Sequence, residues 1–377
     1  MKDMDMFLDN FRTIIKNFKD NNRKGIPLCA AENIMSDFAR LPLKSELQEK
    51  YIMGGTINYQ EEDNFIGSDL LFPIYESITK SCSILFNANY SDSRTLSGMN
   101  TITTLLMSLS SSGDKILLHM PDAGAHASMP YVSQRLGLEI IEMPYDYENY
   151  NFDIKKINEI IENENIRIVL FSPSDILFSP NFSDLIIKKD TYVIYDATQT
   201  LGLIAGKVLP NPLEEYENII LVGGTHKTMP GPTKGLILIQ NMKIAELIDT
   251  KINPTYLRNT QMHHVLSLLF TLKELEYFDL EIVNIIYDYC FKQNYSIDGF
   301  PEKYIELIEN NDEDFFDFLD FDTKYYYILK CSITKIEVFE MIKSYYSSPK
   351  DIDYQDDDCR KDILINIELL EKENIKK

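Results

Sequence analysis

Lys227 stands in Val222-Gly223-Gly224-Thr225-His226-Lys227-Thr228-Met229-Pro230-Gly231-Pro232. The apolar run Asn218-Ile219-Ile220-Leu221-Val222 precedes it, and Gly235-Leu236-Ile237-Leu238-Ile239 follows the turn. A lysine on a short loop at the mouth of a sheet can have its amine desolvated. Desolvation lowers the pKa and frees the lone pair for Schiff-base chemistry. A second chemical group, Asp196, ends the earlier run Thr191-Tyr192-Val193-Ile194-Tyr195. An amine and a carboxylate in this relation are what pyridoxal phosphate needs: one holds the aldehyde, the other keeps the pyridine nitrogen protonated as an electron sink. Taken singly, each residue also has a plainer reading, as a surface lysine after a buried strand and as an unrelated strand-end acid.

The elements that must position these groups follow from hydrophobic period. Phe7, Leu8, Phe11, Ile14, Ile15 and Phe18 recur at helical spacing, an N-terminal amphipathic arm. Pro73 to Phe86 reads as a helix with its proline in the first turn. From about residue 95 helices and strands alternate: a helix from Ser97-Gly98 to Leu109, a strand over 115–119, a helix over 126–136, a strand over 138–141, a helix over 153–161, and a strand over 167–171. Apolar, β-branched strands alternating with helices predict a mostly parallel sheet covered on both faces. Ligands of such sheets bind beyond the carboxyl ends of the strands, where Asp122 to His126, Asp196 and Lys227 all fall. After Asn253-Pro254-Thr255 a long helical stretch, 264–278, leads toward a smaller domain. The expected division is an arm over 1–60, a large domain over 61–255 and a small C-terminal α/β domain over 256–377.

Composition narrows the partners. The chain has 377 residues and a formal net charge of −22, which disfavours nucleic acid and anionic membranes. No run approaches the roughly 18 apolar residues of a membrane span. Five scattered cysteines without a C-x-x-C pair point to a reducing compartment, the cytoplasm by default, and none has metal-ligand spacing with the five histidines.

As an ordered set these motifs resemble the serine hydroxymethyltransferase group of fold-type I pyridoxal-phosphate enzymes. The resemblance is carried by Pro210-Asn211-Pro212, Thr225-His226-Lys227-Thr228 and Gly231-Pro232, and by Ala30-Ala31-Glu32-Asn33, Ser97-Gly98 and Gly124-Ala125-His126. It covers roughly residues 20 to 240 and fades beyond. It implies an amino-acid substrate and a Schiff base of pyridoxal phosphate on Lys227, with Asp196 at the ring nitrogen and His126 against the ring. Ser97 and Gly98 would meet the phosphate at a helix N-terminus. Met99, Gln199, Thr225 and His226 would complete the cofactor site. Tyr51 and Tyr59 would reach a neighbouring subunit's site in a homodimer; as residues alone they read as loop anchors. Glu32, Arg258 and Arg94 are the candidates for substrate contacts, each arginine reading otherwise as a surface residue.

The departures from the family bear on the reaction. Met53 stands where the family carries the glutamate that handles protons on the hydroxymethyl group, and a thioether cannot transfer protons. Ala31 replaces a serine, Gln199 a histidine, Gly224 a threonine and Thr233 an arginine. The C-terminal arginine motif that clamps a substrate carboxylate is not found; the last hundred residues contain only Arg360. The expectation is therefore an enzyme forming or breaking a side-chain bond at the α-carbon, aldol fashion, with a possible aldehyde co-substrate. A specialised aldolase or transaldolase is favoured over folate-dependent serine–glycine exchange. An aminotransferase, racemase or decarboxylase on the same scaffold, or a non-catalytic paralogue, are the alternatives.

Overall fold

The computed structural model describes residues 2–22, 33, 35–59, 64–147, 149, 151–174 and 179–277. The chain opens with α1 (Lys2–Asn22), α2 (Asp37–Arg40), α3 (Phe72–Phe86), β1 (Tyr90–Asp92) and α4 (Gly98–Leu109). It continues through β2 (Lys115–Leu118), α5 (Met129–Arg135), β3 (Glu139–Glu142), β4 (Tyr145–Asp146), β5 (Asn151–Phe152), α6 (Ile154–Asn163) and β6 (Ile166–Phe171). Then come β7 (Tyr192–Asp196), α7 (Leu201–Ala205), α8 (Pro212–Glu215), β8 (Ile219–Gly224), β9 (Gly235–Ile239), α9 (Met242–Thr250) and α10 (Met262–Tyr277). The expected C-terminal domain beyond 277, Glu32, and all cysteines but Cys82 lie outside the described residues.

Seven strands form one sheet in the order β1-β9-β8-β7-β6-β2-β3. The pairs from β3 to β8 are parallel, whereas β9 runs antiparallel to both β8 and β1. The expected mostly parallel α/β sheet is what the chain adopts. Side chains alternate between two cores, as a sheet buried on both faces requires. Leu117, Val169, Phe171, Val193, Leu221 and Leu236 face the core shared with α3, α6, α7, α8 and α10. Ile116, Ile168, Leu170, Ile194, Ile220 and Ile237 face α4, α5 and α9.

Two antiparallel steps at β9 return β1 to the direction of β8. The carboxyl ends of β1, β2, β6, β7 and β8 therefore lie along one edge of the sheet, together with the start of β9. The helix expected from His126 begins only at Met129, because Gly124, at φ +90°, turns the chain and His126 bonds back to β6 through its N–H to the Ser172 carbonyl at 2.8 Å. The apolar stripe of α1 (Phe7, Phe11, Ile14, Phe18) is exposed. No helix among the described residues is long and apolar enough to cross a membrane.

Candidate active site

β7 and β8 pair in parallel with Asp196 opposite Val222, so Asp196 and the turn carrying Lys227 leave the same edge side by side. Asp196 is buried, and its carboxylate accepts the backbone N–H of Thr198 at 2.9 Å. Burial pushes its pKa up; the Thr198 bonds and the positive fields of His126 and Lys227 oppose the shift. Both residues therefore lie near enough to act on the carboxylate. Thr198 turns its hydroxyl to the N–H of Gly224, 2.9 Å away, which ties the end of β7 to the end of β8.

The lysine turn is braced from several sides. The Gly231 N–H bonds the Thr225 carbonyl at 2.8 Å, and Asn33 donates its side-chain amide to the Lys227 carbonyl. Gly202 at the start of α7 lies so close that a Cβ there would sit 2.3 Å from the Thr228 carbonyl oxygen. Thr225, expected to touch the cofactor, is corrected: it is fully buried and spends its hydroxyl on the Pro232 carbonyl, so it shapes the turn from within.

α4 starts against this turn. Ser97 caps it by accepting the Asn100 N–H at 3.2 Å, and a Cβ on Gly98 would meet Thr198 Oγ1 at 2.8 Å and the Gly224 nitrogen at 3.2 Å. A helix N-terminus pressed against the glycine end of β8 presents its first backbone N–H groups, which have no partner within the helix, to an anion. The Met99 side chain packs onto the core beside α4, so only its backbone remains for that task.

His126, half-buried, accepts the Ser128 N–H on Nδ1 at 3.2 Å. His226 is lowered in pKa by burial first and then by Lys227, which favours its neutral ring, and its buried Nδ1 has no partner among the described residues. Gln199 Oε1 and Ser172 Oγ are likewise buried without partners among the described residues. Unpaired buried polar atoms are costly in a protein core, and these three fall at the ends of β6, β7 and β8. Ser172 escaped sequence reasoning, although its place directly after β6 matches that of Asp196 in β7.

The other candidates lie elsewhere. Arg94 is corrected both as a substrate ligand and as a surface residue. It is 1% exposed, paired with Asp92 and with Asp249 at 3.0 Å, and donates to the Gly54 and Asp249 carbonyls. Within the chain the ring of Tyr59 lies on Phe72 at 4.3 Å and its hydroxyl pairs with Ser68. Tyr51 is exposed beside Phe65. Arg258 is exposed, its Nη1 3.9 Å from the sulfur of Met53, and no carboxylate pairs with it among the described residues. Among the described residues no cluster of His, Cys, Asp and Glu could hold a metal.

These residues fit pyridoxal phosphate: an amine, a buried acid one strand away, a glycine-lined helix start for a phosphate, and unpaired polar atoms between them. A parallel-sheet α/β fold carrying this set at one edge defines the fold-type I pyridoxal-phosphate class. Within that class the chain belongs to the serine hydroxymethyltransferase family, whose model matches residues 3–264. It is 30% identical over 287 residues to serine hydroxymethyltransferase from Sulfolobus acidocaldarius, covering 74% of this chain and 65% of that protein. To the Thermococcus onnurineus enzyme of that name it is 34% identical over 264 residues, 66% and 59% of the two chains. The chain thus spans less than two thirds of the length of these relatives. The crystal structure of L-threonine transaldolase from Pseudomonas fluorescens in the internal aldimine state is similar in fold, with a TM-score of 0.68 at 22% identity, covering 76% of this chain and 67% of that one.

Proposed function

We propose that the chain binds pyridoxal phosphate on Lys227 and catalyses aldol-type cleavage or transfer of a side chain at the α-carbon of an amino acid. The observation that carries this reading is the convergence of Lys227, Asp196, His126 and the Ser97-Gly98 helix start on one sheet edge. When bound, the cofactor supplies a sink for the electron pair left on the α-carbon. Lys227 would hold the aldehyde through Nζ. Asp196 would keep a proton on the ring nitrogen, and the Thr198 bond fixes the carboxylate for that task. Ser97 and the first N–H groups of α4 would take the phosphate, with the helix dipole in their favour. Neutral His226 and Gln199 each keep an unpaired polar atom for the ring substituents. His126 borders the crevice and would orient the ring.

Met53 favours an aldolase or transaldolase over folate-dependent exchange. Its side chain carries no proton to transfer, and Arg258 Nη1 lies 3.9 Å from its sulfur. Arg258 pairs with no carboxylate among the described residues, and it would receive the substrate's carboxylate. The exposed stripe of α1 supports a homodimer, with the arm covered by the second subunit. The cysteine pattern supports a reducing compartment, the cytoplasm, as the setting.

Purified protein mixed with pyridoxal phosphate should turn yellow, and Lys227→Ala should abolish the band; its survival refutes the assignment. Release of an aldehyde from a β-hydroxy amino acid without folate supports the aldolase. A strict requirement for folate overturns that part alone.

A further inference from the structure

Lys234 is fully buried, and the chemistry above makes no use of it. Its backbone carbonyl accepts the N–H of Thr225 at 3.1 Å, within the turn that carries Lys227. Its side chain runs the other way: Nζ donates to the Thr260 carbonyl at 2.8 Å and to the Arg94 carbonyl at 3.3 Å. Thr260 leads into α10, and Arg94 leads into the loop that ends at Ser97 and Gly98. The next residue, Gly235, presses on the same loop. Its N–H bonds the Thr95 carbonyl at 3.1 Å, and a Cβ there would lie 1.8 Å from Thr101 Oγ1 and 2.8 Å from the Ser97 carbonyl oxygen.

We propose that Lys234 is a positioning residue that clamps the Arg94–Gly98 loop to the start of α10 and so sets the shape of the phosphate-binding end of the crevice. This inference rests on the pyridoxal-phosphate reading above. A buried ammonium is poorly tolerated in a core, and here it meets two carbonyls rather than a contacting carboxylate. Burial pushes the amine down to about 7, with Asp92 on β1 opposing the shift. On the α10 side it faces His263 and His264, both lowered in pKa by burial first and each further depressed by the lysine's field. Filling the slot alone would be served better by an apolar side chain. What the lysine adds is a pair of donors that hold two loop carbonyls at fixed positions, one on the phosphate loop and one on the helix start.

The full chain, stripped of cofactor, should be titrated with pyridoxal phosphate and with pyridoxal, which lacks the phosphate, following the Lys227-dependent absorbance. Lys234→Met should lose about tenfold of the wild-type preference for the phosphorylated form, the weight of a misplaced hydrogen bond, with pyridoxal affinity little changed. If methionine does not fold, Lys234→Gln, shorter and able to reach only one carbonyl, should shift the preference in the same direction. Parallel loss of both affinities, or an unchanged ratio, in a folded variant overturns the clamp while leaving the cofactor reading intact. A wild-type chain that forms no Lys227-dependent band overturns both.

Discussion

Asp196 is held by Thr198: the carboxylate accepts the Thr198 N–H at 2.9 Å, and the same residue's hydroxyl accepts the Gly224 N–H at 2.9 Å. One residue thus sets the acid and ties it to the strand that delivers Lys227. Asp196→Asn keeps an oxygen for the Thr198 N–H but cannot hold a proton on a ring nitrogen as a carboxylate does. The variant should retain the Lys227-dependent band and lose turnover by about a hundredfold or more. Absorbance titration paired with aldehyde release separates the two effects. Turnover equal to wild type would remove Asp196 from the chemistry.

A second anchor is buried deeper. Asp249 on α9 pairs with Arg94 and also accepts the N–H groups of Thr56 at 2.7 Å, Ile57 at 3.2 Å and Asn58 at 3.3 Å. Gly55 makes room for it, since a Cβ there would sit 1.9 Å from the carboxylate. Asp249→Ala leaves a buried guanidinium short of one partner and three loop N–H groups unpaired. Breaking a buried pair on one side costs about 3–5 kcal/mol. Denaturant unfolding should show a loss of that size, and amide exchange should quicken at residues 56–58. A loss below about 1 kcal/mol, the range of a surface pair, would mean the network carries little.

Six of the seven strands were legible as short apolar runs bounded by turn residues, β9 over its expected span, whereas β1, Tyr90-Ser91-Asp92, carries no such run. Its antiparallel direction was not legible, since a strand buried on both faces shows the same apolar run either way. Lys227 and Asp196 were singled out because both follow apolar strands whose ends carry ligands in such sheets, and the two strands do pair side by side. Arg94 was misread although Asp92 stands two residues before it; its other partner, Asp249, is distant in sequence, and no local period joins them. Lys234 was passed over because Gly-Pro-Thr-Lys-Gly reads as an exposed turn, whereas tertiary packing buries it completely.

Met53 tests the choice of reaction. Its backbone is fixed on both sides by Asn64, whose amide accepts the Met53 N–H and donates to its carbonyl, both at 2.8 Å. A glutamate introduced there inherits a set backbone. Met53→Glu should therefore gain folate-dependent serine–glycine exchange over wild type, by tenfold or more if the acid contributes as a proton-transfer group does (about 10²–10⁴ at best). Wild-type exchange already at the variant's rate would show that the thioether does not limit that reaction.

His119 sets an acid limit on stability. It follows β2, is 1% exposed, and Nε2 donates to the Ala123 carbonyl at 2.9 Å, which helps hold the turn before His126. Tyr145 and Phe152 close around the ring, at 6.1 and 4.7 Å between centroids, and Nδ1 has no partner among the described residues. Burial lowers its pKa from 6.5 to about 4, against the pull of the Ala123 bond and of Asp122. Between those values the unfolded chain binds a proton that the folded chain refuses, so stability is full above pH 6.5 and falls as the pH drops toward 4. The loss from this group is about 3 kcal/mol over the window, at roughly 1.4 kcal/mol per pH unit. Asp196, raised in pKa by burial, acts with the opposite sign at acid pH, but equally in any His119 variant. His119→Gln keeps an amide N–H for the Ala123 carbonyl and has nothing to titrate. Urea midpoints measured at pH 7 and pH 5 should therefore differ less in the variant than in the wild type. Equal shifts in the two proteins would show that His119 is protonated in the folded state, and that the closed aromatic pocket around it admits water.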